Sequence, residues 1–222
     1  MHTVTLSTRT RDDIAREIAN DLPDGSIVNL GIGIPTLVSD HIPAGKEIIL
    51  HSENGILGLG PKPPEGTEDY DLINAGKQAV TLQPGGSFFH HADSFAMMRG
   101  GHLDVAILGA YQVSASGDLA NWHTGAADII PAVGGAMDLA VGAKQVWVAM
   151  PLFIQDGRCK IVSLCTYPLT SRSCVTRIYT DHATFACTSR GLEVLSLVEG
   201  LELEVLQQKM GLPLLQAKRQ RD

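Results

Sequence analysis

Apolar residues recur every fourth position at Ile14, Ile18 and Leu22, behind a Thr10 that is followed three residues later by Asp13. That spacing predicts an amphipathic first helix opened by a capping box, with Asp24-Gly25 ending it. Ser26 to Leu30 reads as a short buried strand closed by Gly31-Ile32-Gly33, and Pro35 is placed for the first turn of a second helix. A second apolar run, Glu47 to Leu50, leads straight into His51-Ser52-Glu53-Asn54-Gly55. Glu53 is therefore expected just beyond the C-terminal end of a strand, where ligands bind in open α/β sheets.

Further strands are predicted at Val80-Leu82, Val105-Leu108, Val146-Met150 and Ile161-Leu164, alternating with helical patches at Ser94-Arg99 and Ala136-Val141. Such alternation predicts an α/β domain with an open, largely parallel sheet flanked by helices. Between Gly58 and Asp71, Pro61, Pro63, Pro64 and Gly66 stand among acids, as in an exposed loop. Ala183-Cys187 and Leu192-Val198 around Ser189-Arg190-Gly191 look like a hairpin, followed by a helix from about Glu202 to Met210. No internal repeat or low-complexity tract interrupts the chain.

Composition narrows the function classes. With 222 residues and 44% hydrophobic content, a single domain over residues 1–222 can bury a sizeable core. Net charge is -7 with acids and bases interspersed, so no basic stripe points to nucleic acid. No apolar run approaches the roughly 20 residues of a membrane span, and the polar N-terminus lacks a signal-peptide core, so a soluble, cytoplasmic protein is expected. Cys159, Cys165, Cys174 and Cys187 have no CxxC spacing and read as free thiols. The 23 glycines, many at apparent strand ends, suggest tight turns that bring backbone close to a ligand, which favours an enzyme.

Four groups of residues could carry chemistry. Gly31-Ile32-Gly33 has the setting of a phosphate turn, but Thr36 replaces the third glycine of a dinucleotide fingerprint, and a tight βα turn explains it equally well. Glu53, flanked by Ser52, Asn54 and Gly55, is either an ordinary turn residue or an acid held on the floor of a cleft. His90, His91 and Asp93 invite a metal reading, yet adjacent histidines in a strand face opposite ways and no second ligand pair follows, so no metal is expected. One of the two histidines is expected inside and hydrogen-bonded. Gly134-Gly135 at a helix start could expose backbone N–H groups to an oxyanion, or could only allow close packing. Asn121, Trp122 and His123 stand near enough in sequence to join the same pocket.

Taken in order, several stretches resemble the B subunit of the 3-oxoacid CoA-transferases that work through a glutamyl-CoA thioester. They are Asn29 to Thr36, His51-Ser52-Glu53-Asn54-Gly55, Leu72-Ile73-Asn74-Ala75-Gly76-Lys77, Arg99 to Asp104, Leu108 to Val113, and Gly134 to Leu139, covering nearly the whole chain. Phe88 to Phe95 and Asp118 to Ala126 look like the 3-oxoadipate subgroup rather than the acetoacetate or butyrate one. Pro151 to Gln155 departs from the pattern, where a more polar stretch with a histidine is expected.

The resemblance implies that Glu53 is the nucleophile and that Gly134, Gly135, Asn54, Gly31 and Gly33 serve oxyanion and CoA contacts. It places His90, His91, Gln112, Asn121 and Trp122 in the substrate pocket. Coenzyme A enters as substrate, with no metal or redox cofactor, and a separate A subunit completes an AB or A2B2 assembly. Two rival readings remain: a nicotinamide-dependent oxidoreductase built on the Gly31 turn, and a non-catalytic binding subunit.

Overall fold

The computed structural model describes residues 8–126, 130–131 and 133–217. The first helix, α1, spans Arg11–Asp21 behind the capping box that the sequence announces. The Asp13 N–H donates to Thr10 Oγ1 at 3.1 Å, and the Thr10 N–H donates to Asp13 Oδ2 at 2.9 Å. Strand β1 (Ile27–Leu30) leads through the glycine turn into a 3-10 helix, Ile34–His41, rather than an α-helix. Pro35 lies in its first turn.

The remaining elements follow in chain order: β2 (Ile49–Ser52), β3 (Ile56–Leu59), β4 (Leu82–Phe88), α2 (His91–Arg99) and β5 (Val105–Leu108). Then come β6 (Gln112–Ser114), β7 (Leu119–Ala120), α3 (Ala136–Gly142), β8 (Gln145–Ala149) and β9 (Ile161–Val162). The last are β10 (Val175–Tyr179), β11 (Ala183–Thr188), β12 (Gly191–Leu197), α4 (Leu203–Met210) and β13 (Leu215–Gln216).

Ten strands form one sheet in the order β13-β12-β11-β10-β8-β5-β1-β2-β3-β4, and β7, β6 and β9 form a small second one. The five central strands, β10, β8, β5, β1 and β2, run parallel. Antiparallel pairs extend both sides: β11 and β12 beyond β10, β3 and β4 beyond β2. The α/β expectation and the terminal hairpin are thus met. The β3–β4 extension goes beyond the sequence pattern, because Pro84, Gly85 and Gly86 make β4 read as a loop.

The central strands are largely apolar because both of their faces are covered. On β5, Val105 and Ile107 pack with Trp147, Ile14 and Ile18 on the α1 side. Ala106 and Leu108 turn to the other face, against Met98 of α2 and Leu139 of α3. Alternation along the strand therefore puts α2 and α3 on the sheet face opposite α1.

Two expectations shift. The strand predicted over Glu47 to Leu50 runs instead from Ile49 to Ser52, and the one at Val80-Leu82 begins only at Leu82. His90 and His91 are not in a strand; His90 caps α2, accepting from Ala92 N–H at 3.1 Å, and both histidines are exposed. No helix among the described residues is long and apolar enough to cross a membrane.

Candidate active site

Glu53 occupies a hairpin tip. Ser52 pairs with Ile56, leaving Glu53, Asn54 and Gly55 as the loop between β2 and β3. The Gly55 N–H donates to the Ser52 carbonyl at 3.0 Å, and the Gly55 carbonyl accepts from the Phe89 N–H at 3.0 Å. Gly55 has φ +108°, and a Cβ there would lie 2.2 Å from the Phe89 carbonyl oxygen. Only glycine meets both demands, so the last residue of Ser-Glu-Asn-Gly sets the aim of the second.

The residues flanking Glu53 fasten the hairpin to its neighbour. Ser52 Oγ accepts from the Ala75 N–H at 3.0 Å, and Asn54 Nδ2 donates to the Ile73 carbonyl at 2.8 Å. These two bonds hold Ala75 on the wall of a cleft of about 520 Å³ that Glu53 also lines. Asn29, Leu30 and Gly31 at the end of β1, Leu108 and Gly109 at the end of β5, and Gly134 and Gly135 before α3 complete most of the enclosure.

The Gly135 backbone lies against the Glu53 carboxylate. Its N–H favours the ionised form of the Glu53 carboxylate. A Cβ at Gly135 would stand 2.1 Å from Glu53 Oε2 and 3.3 Å from Phe95 Cζ. The far end of α3 uses another glycine, since a Cβ at Gly142 would lie 2.0 Å from the Met98 carbonyl oxygen of α2. Arg99 Nε closes the contact between the two helices on Asp138 Oδ1 at 2.6 Å.

Burial pushes the Glu53 pKa above its ordinary value, and the nearby Asp138 carboxylate pushes the same way. His91 and the Gly135 N–H pull it back. An ionised Glu53 here is poorly hydrated and stands beside the Gly135 N–H, which suits a carboxylate nucleophile.

Beneath the hairpin lies a buried polar chain absent from the sequence-based candidates. Asn29 Nδ2 is 3.0 Å from His51 Nδ1 and donates to the His51 carbonyl at 3.2 Å, while His51 Nε2 is 3.0 Å from Ser94 Oγ. All three residues are buried. Burial drops the His51 pKa to about 4. The available signal is a polar residue in each of two adjacent apolar strands, at positions 29 and 51, which turn out to be register partners.

The other predicted residues divide into three sets. Gly31, Gly134 and Asn121 reach the cleft wall. At Gly31 a Cβ would come within 2.9 Å of the Ile107 carbonyl oxygen, so close strand packing requires the glycine. The Asn121 side chain is already engaged, donating to the Gly109 carbonyl at 3.2 Å and accepting from Thr170 Oγ1 at 2.6 Å. Gly33, at φ +98°, is off the wall and shapes the entry of the 3-10 helix. Asn54 is also off the wall, at its Ile73 anchor.

Gln112 faces a second cleft of about 470 Å³, which shares Tyr111 with the first. Its Oε1 accepts from the Thr166 N–H at 2.9 Å and the Tyr167 N–H at 3.3 Å. Trp122 Nε1 donates to the Leu169 carbonyl at 3.2 Å, outside the cleft lining. His91 is exposed and outside the cleft lining, with its ring 4.8 Å from that of Phe95, and it favours the ionised form of Glu53.

Comparison with known proteins matches this architecture. The chain is 58% identical over 208 residues to the B subunit of the 3-oxoadipate CoA-transferase of Acinetobacter baylyi, covering 94% of this chain and 96% of that one. It is 47% identical over 199 residues to the B subunit of the succinyl-CoA:3-ketoacid coenzyme A transferase of Helicobacter pylori, covering 90% and 95%. Two solved structures share the fold. An acyl-CoA transferase from Escherichia coli O157:H7 superposes with a TM-score of 0.72 at 20% identity, over 94% of this chain but only 42% of that one. Glutaconate coenzyme A-transferase from Acidaminococcus fermentans superposes with a TM-score of 0.66 at 14% identity, over 95% and 87%. The Coenzyme A transferase family model matches residues 11–206, and the chain belongs to that family.

Proposed function

We propose that this chain is the B subunit of a 3-oxoacid CoA-transferase that moves coenzyme A from succinyl-CoA to 3-oxoadipate, with Glu53 as the covalent carrier. One observation carries the reading: the Glu53 carboxylate lines the cleft from a hairpin tip and lies against the Gly135 backbone. A Glu oxygen attacks the thioester carbonyl of the donor and expels the CoA thiolate, giving a mixed anhydride. The thiolate then attacks the glutamyl carbonyl, the donor acid leaves as its carboxylate, and a glutamyl-CoA thioester remains.

The acceptor carboxylate repeats the two steps in reverse and leaves as its CoA ester. Coenzyme A is a substrate throughout, and the thioester energy passes along without a redox or metal step. Each attack places negative charge on a carbonyl oxygen. The Gly135 N–H, released from the carboxylate as Glu53 becomes acylated, is suitably placed to receive it. Water must stay out, because it would hydrolyse either intermediate.

The cleft also supports a second, complementary chain. Its described lining holds the Glu53 carboxylate and no Lys or Arg, although the donor and acceptor are both anionic. Exposed Ile32, Tyr111 and Ile130 suit coverage by another polypeptide. An A subunit in an AB or A2B2 unit in the cytoplasm would bring the missing cations and close the site.

Peptide mass spectrometry after mixing the assembled enzyme with succinyl-CoA tests the proposal. Trapping with hydroxylamine should modify Glu53 alone. No modification would return the chain to a non-catalytic binding role. Equal kcat/KM for acetoacetate and 3-oxoadipate would place it with the acetoacetate type instead.

A further inference from the structure

We infer that Asn29, His51 and Ser94 are positioning residues for Glu53, acting as one hydrogen-bonded chain behind the hairpin; the inference rests on the nucleophile reading given above. The chain joins three elements that each contribute to the site. Asn29 is on β1, which delivers Gly31 to the cleft; His51 is on β2, two residues before Glu53; and Ser94 is on α2, which carries His91 and Phe95.

The direction of each bond follows from chemistry. Asn29 Nδ2 bonds the His51 carbonyl, which only accepts, so that atom is the amide nitrogen and it also donates to His51 Nδ1. Nδ1 is therefore unprotonated, Nε2 carries the hydrogen, and Ser94 Oγ accepts it. The ring is neutral, consistent with complete burial and with no carboxylate bonded to it. Phe89, stacked 6.1 Å from the ring and interplanar at 22°, holds its plane, and Phe89 also anchors Gly55.

The consequence is mechanical. β2 leads into Glu53 and α2 carries Phe95, so a hydrogen bond between the two elements fixes the carboxylate relative to Phe95 and hence to Gly135. An ordinary apolar pair would leave that distance free to slide. A misplacement near 1 Å costs about 100-fold in rate in well-oriented reactions.

The test uses the assembled transferase carrying Ser94→Ala, because Ser94 is absent from the cleft lining and its hydroxyl bonds His51 rather than Glu53. We expect kcat, and the rate at which Glu53 acquires CoA, to fall together by about 10- to 100-fold, with KM for both substrates unchanged. A lower melting temperature with unchanged kcat per folded molecule would reduce the chain to a structural role and overturn the inference. The second measurement needs no variant: nitrogen-15 NMR of wild-type His51 should report the neutral ring with hydrogen on Nε2 at pH 7. A ring protonated on Nδ1 overturns it even if Ser94→Ala fails to fold. Failure of wild-type Glu53 to label sinks the nucleophile reading instead, so the two failures are distinct.

Discussion

Gly135 and Glu53 meet so closely that a side chain at position 135 would have to push the carboxylate aside. A Cβ there would stand 2.1 Å from Oε2 of the carboxylate, inside any real contact distance, and 3.3 Å from the Phe95 ring. The close approach lets the Gly135 N–H act directly on the carboxylate.

Gly135→Ala should therefore displace either the carboxylate or the start of α3. Loss of one directed N–H donor typically lowers kcat by about 100- to 1000-fold. We expect that loss with a melt that remains cooperative, since the contact is at a cleft wall rather than in the core. Steady-state kinetics beside a thermal melt checks it, and kcat within threefold of wild type would remove Gly135 from the mechanism.

Glu53→Gln keeps the shape of the side chain and removes the nucleophile, so transfer should disappear. Its stability should move the opposite way. Burial raises the folded-state pKa of Glu53 above the ordinary 4.5, so the folded form binds a proton more readily than the unfolded one. The associated stability is fully present below that ordinary value and is lost as pH rises through the folded pKa. At neutral pH the ionised group is a burden, and the glutamine variant should melt higher. That gain should close as pH falls towards 4.5. The same raised pKa places the acid limb of wild-type kcat/KM above that of an ordinary glutamate.

Gly142→Ala tests the spacing of α2 and α3 at a distance from the cleft. A Cβ would press to 2.0 Å from the Met98 carbonyl oxygen, which is backbone and cannot rotate away. Overpacking of this kind costs about 1 to 3 kcal/mol. Because α3 carries Gly135 at its other end, kcat should fall as well. A denaturation midpoint equal to wild type would show that the helices separate freely.

Legibility in the sequence follows local rules. The Thr10-Asp13 box, the apolar run at Val105-Leu108 and the Ser-Glu-Asn-Gly turn each encode their geometry within a few residues, and each stands where expected. β4 is different, because Pro84, Gly85 and Gly86 defeat strand propensity and the strand exists only through pairing with β3. His90 reads as a strand residue because its role as a helix cap depends on where α2 starts. Gln112 and Trp122 lie in motifs that resemble a substrate pocket, yet their polar atoms hold the 165–170 segment. Nothing in one sequence separates a polar residue that faces a ligand from one that faces a carbonyl. Asn29 and His51 are legible only as a pair, and the pairing is a property of the sheet.

His51 supplies the last prediction, through the pH dependence of stability. In the unfolded chain its ring titrates near 6.5, whereas burial lowers the folded value to about 4. Between those values the unfolded chain takes up a proton that the folded chain refuses, so stability falls with falling pH across that window. The difference corresponds to a loss on the order of 3 kcal/mol. Asp104, Asp181 and Glu53 also titrate on the acid side, so the wild-type curve alone does not isolate the ring. Replacing it does: His51→Gln keeps a donor for Ser94 and removes the titration, while the other groups contribute equally to both proteins. Urea denaturation at steps from pH 7 to pH 4 should show the variant less stable at pH 7 and the gap narrowing steadily below 6.5. Parallel curves for the two proteins would mean that the folded state accommodates a charged ring, and that the neutral bond from Nε2 to Ser94 is not what holds the hairpin.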